Sequence, residues 1–252
     1  MSGYTGLIGL PTTGQSPIDL NERLVRPRRY DSLVMNGHWL QDGEARMINN
    51  GHTARITLTG DRIPSTVSGG PLANDVYEMF DAHFHWGEDN CRGAEHTING
   101  TWFSMECHVV HWNRKYVTFD ECQRHKDGMC VLAYLFLVQP PCCGCINPQM
   151  ERITENLQYI VDADSEVKIP PNSLSFMRCA TYCSYYYTYA GSYNVGDNPE
   201  CATWIVFPVV TPIRPDEINE FRRLRDKDGR CIKANWRETQ QLKCRKIFLA
   251  TP

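Results

Sequence analysis

Turn signals recur along the whole chain, and they limit what it can fold into. "NGH" stands at 36–38, "NNGH" at 49–52, "SGGPL" at 68–72, "NG" at 99–100 and "KDG" at 126–128. Between them lie short runs rich in Val, Ile, Thr and aromatic residues, as an antiparallel sheet requires. "ARITLTG" (54–60) alternates like a strand, and "TWFSMECHVVHW" (101–112) reads as a longer one. "MCVLAYLFLV" (129–138) and "TWIVFPVV" (203–210) read as buried strands. Helical spacing is rarer. Met150, Ile153, Leu157 and Ile160 mark one helix over 147–160, and "RPDEINEFRRLR" a second after Pro212. No composition shift divides the chain. The expectation is one domain over 1–252, mainly β within the α+β class, with a large twisted, mostly antiparallel sheet and short surface helices.

Charge and hydropathy exclude some partners. The net charge is −3, which gives no general field for nucleic acid. The longest apolar run, Val131 to Val138, is too short to span a bilayer. "RLVRPRRY" (23–30) is basic; it reads as a solvated loop, or as a contact for an acidic protein partner. The N-terminal stretch has no basic, apolar leader pattern, so a cytoplasmic location with reduced thiols is expected for the twelve cysteines. Cys142, Cys145, Cys179 and Cys183 are spaced only loosely like a second zinc site; free thiols in loops, open to a protein partner, are the plainer reading.

The chemistry centres on "FDAHFHWGEDN" (80–90). On a strand, residues two apart share a face. His83 and His85 therefore point together, and Ala82 and Phe84 point away. In "MECHVVHW", Glu106, His108 and Val110 share a face. Antiparallel pairing of the two strands lets His108 join the pair. Three neutral imidazoles leave one tetrahedral position open, which is the arrangement of a catalytic zinc. Glu106 is placed to accept a ligand's ring N–H and fix its tautomer. By itself, a His-x-His pair on a strand is more often an ordinary surface or core feature.

Together, "HFHWG", "EHTING" and "MECHVVHWN" resemble the α-carbonic anhydrases. "GQSPIDL", "INNGH", "SGGPL", "YAGS", "ECATWIVF" and "NWRETQQL" follow collinearly. The resemblance implies zinc-dependent, reversible hydration of carbon dioxide to bicarbonate and a proton, in a conical cavity. It implies zinc on His83, His85 and His108, with Glu106, Asp81 and Asn235 around them. His52 matches the proton-shuttle histidine. Val110, Val131 and Trp204 match the apolar wall of the substrate pocket, with Tyr193 and Val195 beside them. Glu95 matches the buried glutamate that anchors the gatekeeper threonine.

The pattern breaks at "SYNVGD". Asn194 stands where that threonine accepts from the hydroxide on zinc and donates to the glutamate. Asparagine carries both an acceptor and a donor, so its oxygen is expected to face the zinc and its NH₂ to face Glu95. Tyr193 adds bulk where leucine is usual, and Val195 removes a second hydroxyl. Asp81 replaces a glutamine, Ala82 an aromatic and Arg55 a small polar residue. Asn198 takes the second position of a disulfide common in secreted relatives. Relatives that lost activity typically lost a zinc histidine, whereas all three stand here. The alternative is a zinc-binding relative of low or no activity, acting as a structural module in an assembly.

Overall fold

The computed structural model describes residues 14–139, 148–181 and 185–251. Its strands are β1 (Asp19–Leu20), β2 (Val25–Arg29), β3 (Val34–Asn36), β4 (Glu44–Asn49), β5 (Ala54–Thr59), β6 (Thr66–Ser68), β7 (Val76–Trp86), β8 (Thr97–Ile98), β9 (Met105–Asn113), β10 (Met129–Val138), β11 (Glu166–Ile169), β12 (Tyr186–Gly191), β13 (Ala202–Ile213) and β14 (Ile247–Thr251). Among the described residues, four short α-helices accompany them: α1 (Phe119–Cys122), α2 (Pro148–Thr154), α3 (Arg178–Thr181) and α4 (Pro215–Arg222). The main sheet runs β11-β4-β5-β7-β9-β10-β13-β12-β14-β2, and β3 and β6 attach to the start of β7. It is mixed but mostly antiparallel; β10 with β13 and β14 with β2 are its parallel pairs. No helix among the described residues is long and apolar enough to cross a membrane.

Alternation along the central strands gives the sheet two apolar faces. Ala82, Phe84 and Trp86 join Cys107, Val109, Leu132 and Tyr134 in one buried cluster. Phe221 of α4 packs on Phe84 and Trp86 at ring separations of 5.1 and 5.5 Å. Burying each such side chain contributes about 1.5–3 kcal/mol. On the opposite face, Val110, Val131, Ala133, Tyr189 and Trp204 form a second cluster. The cavity opens on that side.

Several local expectations shift. β9 begins only at Met105, because Thr101 pairs back to Ile98 and the Ser104 amide bonds Phe136 O. The helix expected over 147–160 divides. α2 ends at Thr154, whose hydroxyl bonds Met150 O, and a short 3₁₀ turn follows at Leu157–Tyr159. The basic stretch expected as a loop is the edge strand β2, parallel to β14, with Arg26 and Arg29 exposed. Of the four thiols, Cys142, Cys145 and Cys183 lie outside the described residues; Cys179 Sγ is 3.6 Å from Thr211 Oγ1.

Candidate metal centre and its cavity

β7 and β9 pair antiparallel with His83 directly opposite His108. Two residues further on, His85 shares their face. The three ring centroids lie 4.5 to 5.4 Å apart. One nitrogen from each ring falls within 4.8 Å of the others, so the trio could hold a metal ion.

Each ring is fixed from behind. His83 Nδ1 donates to Asp81 Oδ1 (3.0 Å) and His85 Nδ1 to the Asn235 carbonyl (3.0 Å). His108 Nε2 lies 2.7 Å from Glu106 Oε1. A carboxylate only accepts, so the proton sits on His108 Nε2 and Nδ1 is left open. The open set is Nε2, Nε2 and Nδ1. His85 Nε2 is buried with no hydrogen-bond partner, which is the condition of a ligand atom rather than a core donor. Burial holds the His85 pKa down at about 4, so the ring is neutral near pH 7 as ligation requires.

A second histidine group, His96, Glu106 and His108, is also close enough for a metal. Hydrogen bonds account for it. Glu106 Oε1 takes His96 Nδ1 at 2.6 Å, and Oε2 takes the Glu95 and His96 amides at 2.8 and 2.7 Å. His96 Nε2 meets Tyr189 OH at 2.7 Å. Burial alone would raise the Glu106 pKa, but His96 and His108 outweigh it and hold the carboxyl well below its ordinary range.

In front of His83 and His85 lies a cavity of about 1020 Å³. The 50–53 turn, α1, the turn at 193–196 and the 231–237 segment surround it.

Comparison with known sequences matches this chain to the eukaryotic-type carbonic anhydrases over residues 11–251. The chain belongs to the eukaryotic-type carbonic anhydrase family. Relatives include the carbonic anhydrase-related proteins of Homo sapiens and Rattus norvegicus. Each is 32% identical over 217 residues, covering 84% of this chain and 71% of the relative. Carbonic anhydrases usually bind zinc, and the buried histidines here suit a metal of that kind.

Asn194 stands at the position that the resemblance equates with the gatekeeper threonine. Asn194 Nδ2 donates to Glu95 Oε2 at 3.0 Å, as expected of its NH₂. Its oxygen, expected to face the metal, accepts from Ser192 Oγ at 3.0 Å. Glu95 is buried, and its Oε1 accepts from the Arg237 amide at 2.9 Å. Tyr193 and Val195 line the cavity. Val110, Val131 and Trp204 do not; they are at most 1% exposed, sealed in the apolar cluster that also holds Tyr193. Tyr193, from the same cluster, is among the lining residues.

His52 lines the cavity and is exposed. Its turn is held by Asn50 Oδ1, which accepts the His52 and Thr53 amides at 2.9 Å. The Asn235 side chain ties the His52 and Phe84 carbonyls together at 3.0 and 2.9 Å.

Two residues escaped the sequence reading, Phe80 on the wall and the buried His96. Phe80 is the extra residue of a β-bulge, since Met79 opposes His111 and Asp81 opposes Val110. Strict alternation would send Phe80 away with Ala82, yet it lines the cavity and stacks on Phe119 at 3.9 Å. His96 was legible only as the neighbour of Glu95.

Proposed function

We propose that this chain is a zinc-dependent carbonic anhydrase that reversibly hydrates carbon dioxide to bicarbonate. One observation carries the reading: three imidazoles converge, each held by its other nitrogen, and the buried His85 Nε2 has no partner. His83 and His85 would hold the ion through Nε2, and His108 through Nδ1. Zinc bound there lowers the pKa of a water and supplies a nucleophile near neutral pH, carbonic anhydrase being the standard example.

The remaining work falls to the chain's own side chains. Asp81 and Glu106 fix two rings and raise their basicity. Asn194, held between Glu95 and Ser192, offers its remaining N–H and lone pair to the reacting group. Tyr193 and Val195 give carbon dioxide an apolar surface. His52, exposed on the cavity wall, passes protons to solvent.

A second reading is favoured by the same gatekeeper turn: a zinc-loaded protein of low or no turnover that serves as a binding module. Asn194 is longer than threonine, and its oxygen is already engaged. Tyr193 occupies the wall that smaller residues would share. In that reading the exposed arginines of β2 suit an acidic protein partner.

Stopped-flow hydration of carbon dioxide, with zinc measured on the same sample, separates the two. Turnover scaling with zinc content supports the enzyme. Full zinc with no turnover above buffer leaves the binding module, and protein purified and reconstituted without zinc uptake sinks both.

A further inference from the structure

We propose that Arg55 anchors a small carboxylate with an apolar body against the aromatic wall of the cavity. This goes beyond the proposed hydration reaction and requires neither turnover nor a metal.

Arg55 sits on β5 directly opposite His83, and its side chain lines the cavity. Its Nε is 3.3 Å from Asp81 Oδ2, at an angle that makes an ion pair but no hydrogen bond. Asp81 is buried and gives its other oxygen to His83. Asp81 therefore holds the guanidinium by its side edge and is not free to wrap its end. Among the described residues, no acceptor hydrogen-bonds the terminal nitrogens of Arg55. The other cations on the wall are engaged. Lys233 Nζ pairs with Glu88 at 3.2 Å, and Arg237 Nη1 bonds Ser16 O at 2.8 Å. The facing carboxylates are spent as well: Glu95 accepts from Asn194 and Arg237.

A guanidinium presents parallel N–H groups in a fork that matches a carboxylate two for two. Here Arg55 borders about 1020 Å³ of cavity, far more room than carbon dioxide needs. The apolar requirement comes from the floor beside it. The guanidinium carbon stands 5.4 Å from the Phe80 ring centre, Phe80 stacks on Phe119, and Phe119 meets Tyr193 edge-on at 6.0 Å. An anion held on Arg55 lays its body along these rings. Inorganic bicarbonate would use the fork alone.

The test is calorimetric titration of the full chain with benzoate, acetate and bicarbonate, in zinc-loaded and chelator-treated protein. Benzoate should bind both forms, about tenfold or more tighter than acetate. Arg55→Gln should weaken benzoate at least about tenfold, the factor expected for losing a charged hydrogen-bond pair. Phe80→Ala should remove the preference for benzoate and leave acetate unchanged, which guards against a misfolded Arg55 variant. Benzoate binding that survives Arg55→Gln overturns the proposal, as does equal affinity for benzoate and acetate. Binding seen only with zinc also overturns it, by assigning the carboxylate to the metal. Because the chelated protein is titrated, a failed hydration assay leaves this result standing, and the reverse holds too.

Discussion

The histidine wall and the gatekeeper turn line one cavity, and they are built on different terms. His83, His85 and His108 rise from β7 and β9, central strands with a neighbour on either side. Asp81 and Glu106 behind them are buried and hydrogen-bonded. The gatekeeper turn between β12 and β13 carries exposed Val195, Gly196 at φ 61° and Asn198 at φ 52°. One region is specified by sheet register, where a slip would turn every ligand away. The other is specified by a few side-chain bonds. Ligand geometry and gatekeeper chemistry can therefore change independently.

The largest effect should come from breaking the wall. His108→Ala removes one of the three proposed ligands, and stoichiometric zinc should be lost on metal analysis while the far-ultraviolet circular dichroism stays that of a sheet. Zinc retained at one equivalent would show the ion lies elsewhere.

The next effect tests the turn. Asn194→Thr should raise hydration by up to about a hundredfold, the order expected when a misplacement of about 1 Å is relieved. Zinc content should not move. Unchanged turnover would mean that Asn194 was not limiting, and Tyr193→Leu then becomes the variant to assay.

Glu106→Gln tests the support behind the wall. Metal affinity should fall about 10–100-fold, the usual effect of losing such a partner. A competitive chelator titration reads it, and unaltered affinity would reduce Glu106 to a core residue.

The smallest effect lies on the far side of the sheet. His38 and His111 meet there through Nε2 at 2.8 Å. Burial holds His111 at about 4 against an ordinary 6.5. Between those values the unfolded chain binds a proton that the folded chain refuses, so stability rises with pH across that window. The urea midpoint of metal-free protein should fall as pH drops from 6.5 toward 4, and less steeply in His111→Gln. An unchanged slope in that variant would assign the acid sensitivity elsewhere.

The sequence displayed the wall more clearly than the turn. Period-two spacing put His83, His85 and His108 on shared faces, and β7 and β9 pair accordingly. The bulge at Phe80 has no such signature, so the aromatic floor was invisible. β2 looked like a loop because its partner β14 lies at the other end of the chain, and long-range parallel pairing leaves no local pattern. Asn194 was legible as a departure. Its bond to Ser192 was not, because that depends on where a backbone turn places two side chains.

That bond completes a closed circuit. From Glu106 the hydrogen bonds pass to His96, Tyr189, Ser16, Ser192, Asn194 and Glu95, and return through the Glu95 amide to Glu106. Gly191 leaves it room, since a Cβ there would stand 2.1 Å from Ser16 Oγ. A ring has no free end, so a disturbance at any link reaches Glu106 and Asn194 from two directions. Ser16, which hydrogen-bonds neither the three histidines nor Asn194, is thus tied to both: Ser16→Ala, which removes its hydroxyl, would loosen the ligand support and the gatekeeper together.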